Sequence, residues 1–178
     1  MKIKRNSVGI IPNLRGVRRI NESELYNIYK MLIEKLIEKG KTVYLLRHSY
    51  EDLILVERIR DMFPTDKNIE IIEDDLSAIE LMKIIKQFDF VIASRYHSII
   101  HAYKNGAPAL VIGWAAKYYE LLKDFDQLDY YFDTRYNIEA SGIAKAVEEM
   151  LENWQKEKVK IKKKMKKIKS ENIFDLLS

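Results

Sequence analysis

Arg95 and His97 are separated by one residue and follow Ser94 and the apolar run 90–93. A guanidinium can hold two oxygens of one carboxylate or phosphate, and an imidazole titrates near neutral pH, where it can donate or accept a proton. The residues that follow keep a helical period of apolar side chains until Gly106. The stretch therefore predicts a strand, a charged turn and a helix, with chemistry based on anion binding and proton transfer.

Strand-like and helix-like segments alternate on both sides of this turn. Short apolar runs of strand length occur at 8–11, 42–46, 69–72, 90–93, 109–112 and 130–132. Apolar residues recur with helical spacing between them, and three helices have N-cap signals: Asn21 with Glu24, Ser49 with Asp52, and Ser77 with Glu80. This alternation predicts an α/β fold with a doubly wound, mostly parallel sheet.

Polar side chains follow several of these strands, at the edge where open sheets bind ligands. Arg15 follows the first strand, and His48 follows the second, where it either lines this edge or lies in a solvated loop. His101 lies one helical turn after His97, a spacing also found in zinc sites. Because no glutamate follows His97 and no third ligand is evident, we interpret His101 as a packed or hydrogen-bonded histidine and predict no metal site.

The composition is that of a soluble globular domain. The chain has 178 residues, of which 47% are hydrophobic and 33% charged, and no apolar run approaches the roughly 20 residues that span a bilayer. It has no cysteine, which excludes disulfides and thiol catalysis, and its first residues lack a signal-peptide pattern. No glycine-rich phosphate loop is present, which disfavours a nucleoside triphosphatase or a dehydrogenase. We expect a cytoplasmic protein without a cofactor.

The positive charge is concentrated at the C-terminal end. Residues 154–178 carry nine lysines and three acidic residues, a net charge of +6, whereas the preceding residues carry −2. We therefore predict a Rossmann-like domain over 1–153 and a basic helical extension over 154–178, with the last helix spanning about 139–169. Its lysines either form a solvated face around an apolar stripe or contact anionic lipid at a membrane surface. No nucleic-acid partner is expected, because the net positive charge is confined to this segment.

The segment 89–102, followed by 106–112 and Lys117, resembles the C-terminal half of the polysaccharide pyruvyl transferases. That family moves a pyruvyl group from phosphoenolpyruvate onto a sugar as a ketal. It also resembles GT-B glycosyltransferases, in which two Rossmann-like halves flank a cleft. The resemblance implies a pyruvyl transferase domain with the fold of a C-terminal GT-B half. Its partners would be phosphoenolpyruvate as donor and a polysaccharide or its precursor sugar as acceptor.

The resemblance also implies roles for individual residues. The family's Arg-x-His motif corresponds to Arg95, Tyr96 and His97, with Tyr96 in place of the leucine that is common there. Arg95, together with Arg15, would bind the carboxylate or phosphate of the donor, and Tyr96 would lie in the substrate site. His97 would be the catalytic acid or base. Lys117 would touch phosphate, the alternative being an exposed lysine at a helix start.

The family also has an N-terminal half with a glycine- and acid-containing opening motif, which has no counterpart in these 178 residues. We therefore expect catalysis to require an N-terminal domain or a partner chain. Two other functions stay open on the sequence alone. One is a GT-B-like glycosyltransferase half that binds a nucleotide sugar, and the other is a non-catalytic binding module.

Overall fold

The strands are apolar runs that lack the polar alternation of a half-exposed sheet. The computed structural model describes residues 1–17, 21–136 and 138–175. Within them the strands are β1 (Ser7–Ile11), β2 (Thr42–Leu46), β3 (Ile69–Ile72), β4 (Phe90–Ala93), β5 (Ala109–Gly113) and β6 (Tyr131–Asp133). Every residue of β1, β4 and β5 is buried, because helices cover both faces of the sheet.

All neighbouring strands are parallel, in the order β3-β2-β1-β4-β5-β6. The helices are α1 (Leu14–Val17), α2 (Glu22–Glu38), α3 (Leu53–Asp61), α4 (Ala78–Ile85), α5 (Tyr96–Lys104), α6 (Ala116–Asp124) and α7 (Ala140–Asp175). The order reverses between β1 and β4, which makes the fold a doubly wound, Rossmann-like sheet. The predicted fold class is confirmed.

Local differences from the predicted elements have simple causes. The sixth strand begins at Tyr131 rather than at 130, because Leu128–Tyr130 forms a 3-10 turn. Asn21 caps α2 by accepting a hydrogen bond from the backbone N–H of Ser23, and Glu24 takes no part. Helix α5 ends at Lys104, two residues before Gly106, where the helical period was predicted to stop. The φ of +72° at Gly106 is the left-handed conformation that glycine adopts most readily.

Helix α7 contacts the hydrophobic clusters on both sides of the sheet. It has 36 residues, or about 54 Å of helix. Ile143 and Val147 are buried in the cluster that includes α2, whereas Ile161 is buried in the opposite cluster with α5. The apolar stripe of the basic segment thus packs on the sheet domain. Position 153, the predicted junction, lies inside this unbroken helix, and residues 176–178 of the extension lie outside the described residues.

None of the helices in the described part of the chain is both long and apolar enough to cross a membrane.

Candidate active site

The reversal of strand order brings together the loops that follow β1, β2, β4 and β5. β1 pairs with β2 on one side and with β4 on the other, so the chain leaves these carboxyl ends in opposite directions. Arg15 lies in α1 directly after β1, and Arg95, Tyr96 and His97 follow β4. Lys117 lies in the first turn of α6, after β5. All five predicted site residues therefore stand at one edge of the sheet, around its switch point.

Asp52 holds one side of the Arg95 guanidinium. Nε of Arg95 donates to Oδ2 of Asp52 at 2.8 Å and Nη2 donates to Oδ1 at 2.7 Å, a side-on bidentate pair. The Asp52 side chain is 0% exposed and that of Arg95 is 15% exposed. The backbone N–H of Leu14 donates to the same carboxylate at 2.9 Å, which ties the loop after β1 to the pair. Because a buried carboxylate is stable only when paired, Asp52 fixes the orientation of Arg95.

The other face of the guanidinium points toward a second carboxylate. Nη2 of Arg95 is also 2.8 Å from Ser49 Oγ and 2.7 Å from Glu51 Oε1, so its two N–H groups are shared among three acceptors, Asp52 included. Nη1 has no hydrogen bond to any described residue. Burial alone would lower the pKa of Arg95, but the hydrogen bonds from its guanidinium to Asp52 and Glu51 outweigh burial and raise it. Arg95 is therefore a permanently charged donor whose Nη1 has no partner among the described residues.

Glu51 joins the two predicted anion-binding arginines. Its Oε1 accepts from Nε of Arg15 at 3.1 Å as well as from Nη2 of Arg95. The Arg15 side chain is 66% exposed and that of Glu51 is 40% exposed. The hydrogen bond from Arg95 lowers the pKa of Glu51, so this carboxylate is ionised at neutral pH. The loops after β1 and β4 thus present two guanidinium groups to one anionic oxygen.

Three histidines form a patch beside Arg95. The exposed ring of His97 lies nearly parallel to that of His48, with centroids 6.3 Å apart, and the His48 and His101 centroids are 6.4 Å apart. Nδ1 of His48 is 2.9 Å from Oγ of the buried Ser98. In the described ranges, no group of three or more His, Asp or Glu side chains has an arrangement that could hold a metal ion.

The two partly buried histidines differ from His97 in environment. Burial lowers the pKa of His48, and the nearby positive charge of Arg95 lowers it further. Burial is also the main cause of the lowered pKa of His101, followed by the charge of Lys104. The interpretation of His101 as a packed side chain agrees with this half-buried position. For His48 a solvated loop was one of two interpretations, and the structure instead places it at the site edge, bonded to Ser98.

We expect the free energy of unfolding to fall as the pH drops below about 6.5, with part of the loss due to His48. The unfolded chain protonates this histidine near its ordinary pKa of 6.5, whereas the folded chain keeps it neutral to lower pH. The stability that the neutral His48 contributes is therefore fully present above pH 6.5, and it is lost as the pH falls through the lowered pKa of the folded chain. Urea unfolding at pH 7.5 and 5.5 should show a smaller loss for His48→Gln than for the parent chain. Equal losses in both proteins would contradict this origin.

An aromatic surface borders the site on the β5 side. Nζ of Lys117 lies 4.5 Å from the ring centroid of Tyr96, a cation–π contact. Tyr96 in turn meets the ring of Tyr118 edge-on, with centroids 5.6 Å apart, and Trp114 lies 5.6 Å from Tyr118. The Tyr118 hydroxyl donates to the carbonyl oxygen of Ser94 at 3.0 Å, which ties this aromatic surface to the end of β4.

Sequence reasoning missed the acidic partners of the arginines. Glu51 and Asp52 follow β2, and the sequence indicated only that Asp52 caps a helix with Ser49. Asn13, which donates to the carbonyl oxygen of Ser94 at 3.2 Å across the switch point, was not identified either. The one available signal was an acidic pair shortly after a strand end. Its pairing with Arg95 depends on the order of the strands, which no local pattern shows.

The cavities between α5 and α7 lie away from the candidate site. Two cavities of about 500 and 660 Å³ lie between α5 and α7, toward the opposite edge of the sheet. They share Tyr103, Lys104 and Met165, and lysines of α7 border them. Neither cavity is lined by Arg15, Arg95 or His97. We place the candidate site at the switch point, where the charged and titratable side chains converge, and not at these cavities.

Comparison with known proteins finds a protein family whose model matches most of this chain. The family model described as polysaccharide pyruvyl transferase matches residues 4–116. The matched region contains Arg15 and the segment from Arg95 to His97, and it ends one residue before Lys117. Among curated proteins, no sequence matches this chain.

Solved structures show the same fold at low sequence identity. The chain is similar to the UDP-GlcNAc 2-epimerase of Methanocaldococcus jannaschii, solved with UDP-GlcNAc and UDP, with a TM-score of 0.60, 18% identity and 84% of this chain covered. It is also similar to the UDP-forming α,α-trehalose-phosphate synthase of Burkholderia xenovorans, with a TM-score of 0.56, 12% identity and 92% covered. These neighbours have GT-B-type folds. The chain spans only 39% and 41% of their lengths.

Proposed function

The chain belongs to the polysaccharide pyruvyl transferase family, and we propose that it is the phosphoenolpyruvate-binding domain of a transferase that modifies a polysaccharide or its precursor sugar. The observation that carries the proposal is the convergence of Arg15 and Arg95 on one anionic oxygen at the switch point, with His97 on the adjacent helical turn. Phosphoenolpyruvate carries a carboxylate and a phosphate. Two guanidinium groups suit such a ligand, because each can hold two oxygens of an anion.

The proposed reaction assigns separate tasks to these side chains. Ketal formation joins two sugar oxygens to C2 of the pyruvyl group, protonates the methylene carbon to a methyl group and expels phosphate. Of the two protons lost by the sugar hydroxyls, one balances the new methyl group and the other leaves on phosphate. Arg95 and Arg15 bind the donor and neutralise its charge. His97 passes a proton between a hydroxyl and the methylene carbon.

The proposed acceptor side lies toward β5. The half-buried ring of Tyr96 and the exposed Lys117 form an aromatic and cationic surface next to Arg95, and a sugar ring can lie against such a surface. Because His97 and Lys117 are exposed and the solved neighbours are more than twice as long, we propose that a second domain or partner chain completes the acceptor site. Activity is assigned to that complete enzyme.

A nucleotide sugar is the second candidate ligand. The solved neighbours include an epimerase in complex with UDP-GlcNAc and UDP, and the fold presents the same strand edge in this chain. Under that alternative, UDP would bind at the switch point and phosphoenolpyruvate would not. The Arg-x-His segment and the family favour phosphoenolpyruvate.

Isothermal titration calorimetry tests the proposal. We expect phosphoenolpyruvate to bind the parent chain and Arg95→Lys to bind it about 10- to 100-fold more weakly, since a hydrogen bond to a charged group contributes about 1.5–3 kcal/mol. Lysine keeps the charge but offers a single ammonium group in place of the planar donor pair. Arg58→Lys is the matched control, because Arg58 lies on α3 and pairs with Glu22 rather than with Glu51 or Asp52.

Each outcome of this titration has a clear meaning. Equal affinity of Arg95→Lys and the parent would contradict the role of Arg95 in binding. Binding of UDP without phosphoenolpyruvate would favour the nucleotide-sugar alternative. Unfolding temperatures of both lysine variants, measured alongside, separate lost affinity from lost folding.

A further inference from the structure

The two carboxylates that hold Arg95 differ sharply in burial. Asp52 is 0% exposed and takes the side-on face of the guanidinium through Nε and Nη2. Glu51 is 40% exposed and contacts only Nη2, which it shares with Ser49 Oγ and with Asp52. The Asp52 pair is therefore part of the folded core, whereas the Glu51 contact can exchange with solvent or with another anion.

The position of the Glu51 carboxylate coincides with the best position for a ligand oxygen. Its Oε1 lies within hydrogen-bond distance of both Arg15 Nε and Arg95 Nη2. An anion at that point would gain both contacts and would also reach Nη1, which has no partner among the residues that the structure describes. Exposed ion pairs contribute little to stability, so replacing this one costs the fold little.

We propose that Glu51 is a built-in placeholder: its carboxylate occupies the anion subsite between Arg15 and Arg95, and substrate binding displaces it. The inference rests on the proposed function for the identity of the anion, phosphoenolpyruvate, but its geometry requires only a carboxylate or phosphate oxygen. In the free protein the two guanidinium groups are held apart at the right spacing by a weak internal ligand. The incoming anion binds between the two guanidinium groups without moving them, and the displaced side chain of Glu51 turns to solvent.

The shortened acid Glu51→Asp tests displacement separately from charge. Aspartate keeps the negative charge but lacks one methylene group, so it cannot bridge both arginines from the same backbone position. If Glu51 is a placeholder, Glu51→Asp and Glu51→Ala should both bind phosphoenolpyruvate about two- to fivefold more tightly than the parent, the range expected when an exposed ion pair no longer competes. If Glu51 acts only through repulsion, Glu51→Ala should bind more tightly and Glu51→Asp should match the parent.

Glu38→Gln is the matched control for net charge, because Glu38 is exposed at the end of α2, at the opposite edge of the sheet. Its affinity should equal that of the parent. Titrations with phosphoenolpyruvate and with inorganic phosphate should be run in parallel on every variant.

The outcomes separate this inference from the proposed function. Phosphate binding that tightens in Glu51→Asp, without binding of phosphoenolpyruvate, would support the placeholder and overturn the donor assignment. Phosphoenolpyruvate binding that depends on Arg95 but is unchanged or weaker in Glu51→Asp would overturn the placeholder and leave the donor assignment intact. Failure of both anions to bind any variant would overturn both.

Discussion

Replacing His97 with glutamine should reduce turnover of phosphoenolpyruvate by a factor on the order of 10²–10⁴, the usual contribution of general acid–base catalysis. Glutamine keeps the polar side chain but cannot exchange a proton near neutral pH. His97 is the exposed member of the histidine patch and lies in the first turn of α5, beside Arg95. The measurement is turnover of the complete enzyme at saturating phosphoenolpyruvate, so that weaker binding does not contribute.

His101→Gln is the matched control on the same helix. His101 is half-buried one turn further along α5, and burial lowers its pKa. Its replacement should act mainly through stability and leave the turnover of the folded enzyme near normal. A near-normal turnover in His97→Gln, or a larger loss in a fully folded His101→Gln, would transfer the catalytic role away from His97.

Asp52→Asn should destabilise the chain by about 3–5 kcal/mol, the usual cost of removing one partner of a buried ion pair. Asparagine has nearly the same shape, but it leaves the Arg95 guanidinium, 15% exposed, without its buried counter-charge. It also turns one of the two acceptor oxygens into an NH2 group, so the backbone N–H groups of Leu14 and Ser49 cannot both keep their acceptor. Urea unfolding gives the change in stability, and calorimetry should show weaker phosphoenolpyruvate binding, because Arg95 is no longer held in place.

Asp75→Asn is the control for Asp52→Asn. Asp75 also pairs with an arginine that follows a strand, Arg47, at 3.4 Å, but its side chain is 95% exposed. Solvent screening makes such a pair worth little, so stability should change by less than about 1 kcal/mol. Similar losses in the two variants would show that burial of Asp52 is not what makes its pair important.

Local patterns in the sequence were sufficient for the fold class and for the strand, turn and helix around Arg95. Each strand is a short apolar run and each helix repeats its apolar residues with helical period, so the alternation of elements can be identified without knowing any contact. The Arg-x-His segment is likewise contiguous, which is why the family resemblance was visible and was confirmed over residues 4–116. The position of Arg15, Arg95 and His97 at strand ends also follows from sequence order alone.

Only the tertiary structure decided which side chains meet at the switch point. Arg95 and Asp52 are 43 residues apart, and they pair because β2 and β4 lie on opposite sides of β1 with their carboxyl ends at one edge. The same arrangement brings His48 beside His97 and Glu51 between the two arginines. Strand order results from packing helices on both faces of the sheet, a property of the whole chain. The sequence therefore indicated the cationic groups of the candidate site, while the carboxylates that hold them became visible only in the folded domain.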